Sequence, residues 1–312
     1  MMKPIAMADD LDQLGTLMTE TRNPATEHLD ELPTLEMLTV INDEDARVAA
    51  AVRRQLPQIA QAVDAITARF EQGGRLFYLG AGTSGRLGVL DASECPPTFS
   101  VDHELFQGLI AGGDRALRHS SEHAEDAPDK GSGDLERAGL RAIDAVVGIA
   151  ASGRTPYVLG ALEYARSVGA LTLGLSCVED SAVAQASEIA ITPLVGPEVL
   201  TGSTRLKAGT ATKLVLNMLS TGVMVRTGAT YGNLMVNVRA TNAKLVARAV
   251  RIVCQAAAAD PDTAAKTLRA AGMDVKTAIV MLRLKLERAE AEERLAAAHG
   301  VLRRALKSST TA

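Results

Sequence analysis

The 312-residue chain has no tryptophan and only four phenylalanines and four tyrosines, so aromatic residues make up 3% of it. Proteins that hold single-stranded nucleic acid stack bases on such rings, and that platform is missing. Positive charge is not in excess either: 33 Lys and Arg stand against 37 Asp and Glu, a formal net charge of −4. The basic footprint of a nucleic-acid binder is therefore absent. Three cysteines, Cys95, Cys177 and Cys254, are odd in number and far apart, without metal-ligand spacing; they fit reduced thiols in a cytosolic protein. No apolar run is long enough to span a bilayer, since Leu214–Val225 is broken by Asn217, Ser220 and Thr221. Met1–Asp10 lacks the apolar segment of a signal peptide. A cytoplasmic protein without nucleic-acid or membrane partners is expected.

What is present is an ordinary globular composition, 47% hydrophobic and 22% charged. Leu35, Leu38, Val48, Val52, Ile59 and Val63 recur at helical spacing over 34–72, and Gly73-Gly74 stops that pattern. Short apolar runs come next, separated by helical segments: Leu76–Leu79, Leu105–Ile110, Ala145–Ile149, Leu171–Leu175 and Ile189–Ile191. Strands alternating with helices predict an α/β fold with a doubly wound, parallel five-stranded sheet. From about Arg205 the pattern is helical to the end. Leu268, Val275, Ile279, Leu295 and Leu302 form the apolar set of a small C-terminal subdomain. The expected division is an N-terminal helical segment at 1–60, a ligand-binding α/β domain at 61–229 and a helical region at 230–312. The helix from Arg205 to Val225 carries more apolar residues than one exposed face should, which predicts a homodimer.

Two loops carry chemistry. Gly80-Ala81-Gly82-Thr83-Ser84-Gly85-Arg86 follows the first strand, and Ala151-Ser152-Gly153-Arg154-Thr155-Pro156 follows the third. Each places Ser-Gly-Arg between a strand and a helix. Glycines let the backbone approach an anion, the helix N-terminus offers free N–H groups, and hydroxyls add donors. With strand order 2-1-3-4-5 the two loops face each other at the switch point of the sheet, where ligands bind. Gly82, Thr83, Ser84, Gly85, Ser152, Gly153, Arg154 and Thr155 are thus candidates to hold one phosphate from two sides. The first loop also fits G-x-G-x-x-G, a dinucleotide fingerprint, and Asp114 lies beyond the second strand where that fingerprint expects an acid. The pair of hydroxyl-bearing loops suits a phosphomonoester better. Either loop alone is also compatible with a plain tight connection.

Glu94 precedes Pro96-Pro97, which are expected to end its helix. A carboxylate there faces the negative end of the helix dipole, which favours its protonated form and suits proton transfer. Glu125, in His123-Ala124-Glu125-Asp126, reads on sequence alone as one acid of a solvated cluster. His103, His119 and His123 are possible acid–base groups without a visible nucleophile partner.

Together these segments resemble the N-acetylmuramic acid 6-phosphate etherases, built on the sugar isomerase (SIS) fold. The resemblance is carried by Glu20-Thr21-Arg22-Asn23-Pro24, the long block from Leu79 through Gly85-Arg86 and Ser93-Glu94-Cys95-Pro96-Pro97-Thr98 to Phe99, Leu109–Gly113, Ala150–Tyr157 and Leu200-Thr201-Gly202-Ser203-Thr204-Arg205-Leu206-Lys207. It implies catalytic roles for Glu94 and Glu125, adds Ser203 and Lys207 to the substrate-binding set, and implies no metal or organic cofactor. It further implies a dimer with a C-terminal domain similar to ubiquitin-associated modules. The implied reaction removes the D-lactyl ether of N-acetylmuramic acid 6-phosphate. Where the family has Asn-Pro-Asp-Ser after Cys177, this chain has Val178-Glu179-Asp180-Ser181, read as a surface-loop change. A sugar-phosphate isomerase and a non-catalytic sugar-phosphate regulator are the competing readings; the two acids favour an enzyme.

Overall fold

The computed structural model describes residues 19–119, 124–238 and 243–307. Two compact units emerge: residues up to Ser93 with Glu104–Ser220, and Glu94–His103 with the residues from Thr221 onward.

The first unit is built on strands β1 (Leu76–Gly80), β2 (Phe106–Ile110), β3 (Ala145–Ile149), β4 (Leu171–Leu175) and β5 (Ile189–Ile191). All four neighbouring pairs are parallel, in the order β2-β1-β3-β4-β5, as the alternating sequence pattern predicts. Every residue of β1, β3 and β4 is buried. Helices cover both faces, which is why these strands are unbroken apolar runs and not alternating ones. At the sheet's N-terminal edge the fully buried Asp144 accepts from the Arg75 amide and guanidinium and from Arg141. Burial alone would raise the Asp144 pKa; those hydrogen bonds outweigh it and hold the carboxyl below its ordinary range.

Helices α1 (Thr34–Asp45), α2 (Val48–Arg53) and α3 (Leu56–Glu71) precede the sheet. They belong to the sheet's own unit. Gln55 ties them to it by accepting the Thr192 amide at 2.9 Å. Val48, Val52 and Ile59 are buried as the spacing predicts, whereas Leu35 and Leu38 are 78% and 52% exposed.

The helices that connect the strands place the loops. Helix α4 (Gly82–Phe99) leaves β1, and the short α5 (Arg115–Arg118) and α6 (Pro128–Arg137) lie between β2 and β3. Helix α7 (Pro156–Val168) leaves β3, and α8 (Ala182–Gln185) leaves β4. Helix α9 (Lys207–Arg226) comes after β5. Its apolar surplus is satisfied within the chain: Val215, Leu216, Leu219 and Val223 are fully buried, and Val225 alone among its large apolar side chains is 47% exposed. This helix therefore gives no reason for a homodimer.

The second unit is not helical throughout. Thr230–Tyr231 and Leu234–Met235 form a two-stranded antiparallel ribbon, β6 and β7, across a turn in which Gly232 takes φ +60°. Helices α10 (Ala243–Ala257), α11 (Pro261–Ala270), α12 (Val275–Leu284), α13 (Arg288–Ala297) and α14 (Leu302–Ala305) complete it. Leu268, Val275, Ile279, Leu295 and Leu302 share one buried cluster, as expected from the sequence. Among the described residues no helix is long and apolar enough to cross a membrane.

Candidate active site

The two loops leave adjacent strands. Gly80 at the end of β1 is in register with Ile149 at the end of β3, so both loops start side by side at the switch point. The first loop turns straight into α4. A Cβ on Gly85 would lie 2.5 Å from the Gly80 carbonyl oxygen and 2.7 Å from Ile110, so a side chain there would push the helix off the sheet. The Gly85 amide is already spent on Ala81 at 3.2 Å. Gly85 thus acts by size, while the preceding first-turn N–H groups have no partner within the helix. Thr83 and Ser84 are half-buried at that end.

The second loop is held from below. Gly153 takes φ +69°, its amide donates to Ala150, and its carbonyl accepts from Val183. A Cβ there would lie 2.2 Å from the Ser181 Cβ. Ser181 in turn caps α8 and shares a buried hydrogen bond with Ser176 at 2.9 Å. The segment read as a surface loop is so only in part: Glu179 and Asp180 are exposed, but Ser181 is buried against the phosphate-loop candidate. Ser152 and Thr155 are half-buried, and Arg154 is exposed with no hydrogen bond to the described residues.

Glu125 reaches the same place. Its carbonyl oxygen accepts the Tyr157 amide at 3.0 Å, in the first turn of α7, directly after the second loop. Its side chain is exposed. Tyr157 is fully buried, and its hydroxyl donates to Asp134 of α6 at 2.5 Å. Burial and then that carboxylate push the phenol's pKa up, so it serves as an anchor and not as a proton donor in turnover.

The start of α9 completes the cluster. A Cβ on Gly209 would lie 3.6 Å from the Thr83 methyl, and Lys213 approaches Asp91 of α4 at 3.5 Å. Ser203 is half-buried in the turn before α9. Lys207 is placed differently from the role the resemblance implies. It is 1% exposed, with its ammonium 2.5 Å from Glu44 of α1. The first α9 amides, of Lys207 and Ala208, both bond the buried carboxylate of Glu198 at 2.9 Å. That helix end already has its anion.

Residues 58–166 match the glucokinase regulatory protein N-terminal SIS domain, and residues 119–222 match the SIS domain. Over 293 residues the chain is 60% identical to the N-acetylmuramic acid 6-phosphate etherase of Pectobacterium atrosepticum, covering 94% of this chain and 97% of that one. It is 55% identical over 296 residues to N-acetylmuramic acid 6-phosphate etherase 2 of Vibrio parahaemolyticus, covering 95% and 99%. For the etherase of Cronobacter sakazakii the values are 58% over 294 residues, 94% and 99%. The chain belongs to the N-acetylmuramic acid 6-phosphate etherase family.

For a member of this etherase family, Glu94 stands in an unexpected setting. Helix α4 does not end before the prolines; it runs through Pro96 and Pro97 to Phe99. Neither proline can donate to the carbonyl four residues earlier, so Ala92 and Ser93 lose their helix partners while the helix continues. Glu94 is therefore not a helix-terminal carboxylate. Its side chain is exposed. Ten residues of α4 separate it from Ser84.

Cys95 and Cys177 are buried. Burial, then the charge of Glu198, push the Cys177 thiol up to about 12, which suits packing and not nucleophilic chemistry. His103 and His119 are exposed, and His123 lies outside the described residues. Among the described residues no three His, Cys, Asp or Glu side chains are grouped to hold a metal ion. Sequence reasoning missed Tyr157, Ser176, Ser181, Glu198 and Arg86. Only Arg86 left a trace, as the arginine repeated in both loops.

Proposed function

We propose that this protein cleaves the D-lactyl ether of N-acetylmuramic acid 6-phosphate, releasing D-lactate and N-acetylglucosamine 6-phosphate. The observation that carries this reading is the full-length identity of 55% and 60% with proteins of that name. The convergence of both Ser-Gly-Arg loops with Glu125 at one end of the sheet supports it. In this reading Ser84, Thr83 and the first α4 amides grip the phosphate from one side, and Ser152, Arg154 and Thr155 grip it from the other. Gly82, Gly85 and Gly153 give the backbone its shape, and Ser203 borders the sugar. We leave Lys207 out of this set, because Glu44 occupies it.

An ether oxygen is a poor leaving group, but the open-chain sugar has an aldehyde at carbon 1 that acidifies the proton at carbon 2. Glu94 as carboxylate takes that proton, the carbon 3–oxygen bond breaks, and Glu125 as the acid protonates the departing lactate oxygen. Water then adds its hydroxyl to carbon 3, and a proton returns to carbon 2. One water is consumed in all.

In this reading the protein is a homodimer, as the family resemblance implies, with the Glu94 that meets the sugar supplied by the second copy. Cys95, Cys177 and Cys254, none of them in a disulfide among the described residues, suit the cytoplasm. The chemistry is assigned to residues 61–229, which carry both loops and both acids.

Two measurements test the reading. Turnover in heavy-oxygen water should put the label on carbon 3 of the sugar, and turnover in deuterium oxide should put deuterium on carbon 2. Label in the lactate, or an unlabelled carbon 2, excludes elimination. Ser84→Ala and Ser152→Ala should each weaken substrate binding by about 1–3 kcal/mol, the worth of a hydrogen bond to a charged group. Titration calorimetry that finds both unchanged would show the loops to be simple turns.

A further inference from the structure

The segment Glu20-Thr21-Arg22-Asn23-Pro24 carries part of the family resemblance but no step of the chemistry above, yet the fold lays it against a turn that does. Asn23 is 6% exposed and fastens the segment at one end. Its Nδ2 donates to Glu44 of α1 at 2.9 Å and to the Pro197 carbonyl at 3.2 Å, while its Oδ1 accepts the Ala25 amide at 3.0 Å. At the other end the Thr19 carbonyl accepts the Gly202 amide at 3.2 Å. Gly202 takes φ +78°, and a Cβ on it would lie 3.1 Å from the Glu20 Oε2. Glu20 therefore lies over the turn whose next residue is Ser203. That turn adjoins the first loop: a Cβ on Gly209 would lie 3.6 Å from both the Thr204 carbonyl oxygen and the Thr83 methyl.

Between those two anchors the Glu20 carboxylate is half-buried and makes no hydrogen bond or ion pair with the described residues. The neighbouring acids differ: the carboxylates of Glu44 and Glu198 are taken up by the chain itself. Taking a charge partly out of water without a partner costs free energy, and a ligand that brings a donor relieves that cost. An ionised carboxylate only accepts hydrogen bonds, and it repels the phosphate and the lactyl carboxylate of the substrate. Its complement is a neutral donor on the sugar, a hydroxyl or the N-acetyl N–H. We infer that Glu20 is a further substrate-binding residue, which accepts a hydrogen bond from such a group and so favours a sugar phosphate over phosphate alone. The inference rests on the proposed function, in which Ser203 borders the sugar.

Titration calorimetry on the full-length protein, with N-acetylglucosamine 6-phosphate and with inorganic phosphate, tests this. Glu20→Ala should weaken binding of the sugar phosphate about 10- to 100-fold, the worth of a hydrogen bond to a charged acceptor. Binding of inorganic phosphate should move less than about twofold. Glu20→Gln keeps the shape and a neutral acceptor and should lose less, since charge-assisted bonds are roughly twice as strong as neutral ones. With N-acetylmuramic acid 6-phosphate, KM should rise while kcat stays within about threefold, the pattern of binding shared by ground and transition states. The urea midpoint of both variants should match the parent's, because the carboxylate has no bond to the described residues to lose. Unchanged affinity in Glu20→Ala would overturn the inference. Equal weakening of both ligands with a lower urea midpoint would overturn it too, by making Glu20 a structural residue of the turn. A drop in kcat at unchanged KM would place Glu20 among the proton-transfer groups and overturn it as a binding contact. A parent that binds the sugar phosphate but releases no D-lactate removes the proposed reaction and leaves Glu20 to be decided by the calorimetry. A parent that binds neither ligand removes both readings.

Discussion

Glu94→Gln is expected to lower turnover by about 10²- to 10⁴-fold, the range lost when a general acid or base is removed. The amide keeps the shape of the carboxyl but cannot take the carbon 2 proton. Deuterium exchange at carbon 2 should therefore fall together with lactate release. Stability should stay within about 0.5 kcal/mol of the parent, since the side chain is exposed on α4 and substitutions at such positions are usually that mild. Subunit mixing sharpens the test. A chain carrying Glu94→Gln, co-refolded with one carrying Ser84→Ala and Ser152→Ala, should regain about a quarter of the parental activity. Half of the dimers are then mixed, and each mixed dimer has one intact site. Near-normal turnover by Glu94→Gln would remove Glu94 from the mechanism. Absence of recovery on mixing would place it in the same chain as the loops it serves.

Lys207→Met should cost stability in place of substrate affinity, by about 3–5 kcal/mol at neutral pH, the usual loss when one partner of a buried ion pair is removed. Glu44 is 3% exposed, and it accepts from Lys207 at 2.5 Å, from Asn23 at 2.9 Å and from Arg47 at 2.7 Å. Burial by itself would raise the Glu44 pKa. The hydrogen bonds from Lys207 and Asn23 and the charges of Lys207 and Arg47 outweigh it and bring the pKa below its ordinary value. A carboxyl depressed in the folded state stabilises the fold fully above its unfolded pKa, and that contribution disappears as pH falls through the folded value. In Lys207→Met the hydrogen bond and the charge of the lysine are gone and burial dominates. The stability gap between variant and parent should then be widest near pH 7 and shrink as the solution is acidified past the ordinary carboxyl range. Urea unfolding at pH 7 and pH 4 checks both the size and the sign. A variant that unfolds like the parent at pH 7 but binds substrate poorly would return Lys207 to the phosphate set.

The sequence by itself determined the sheet and the positions of the loops. Its five strands are short runs of apolar, mostly branched residues bounded by glycine and charge. Parallel strands buried on both faces require such runs, so local composition and global packing say the same thing. The two Ser-Gly-Arg segments were likewise visible, because a tight strand-to-helix turn needs small residues at fixed spacing. Long motif blocks were enough to indicate the family. Tertiary structure alone decided which residues of those motifs face a ligand. Arg86 and Arg154 occupy equal places in equal tripeptides, and only the carbonyls of α5, thirty residues on, give the first a structural partner. Lys207 reads as a cation for phosphate until the fold brings Glu44 to it across 163 positions of sequence. Pro96 and Pro97 read as a helix stop, yet α4 continues through them. The physical reason is shared by the first two. A charged or hydrogen-bonding side chain takes the partner that the folded chain puts within reach, and that partner comes from a part of the sequence with no local bearing on it. The prolines follow a related rule: tertiary packing holds a helix whose local hydrogen bonds the sequence has removed.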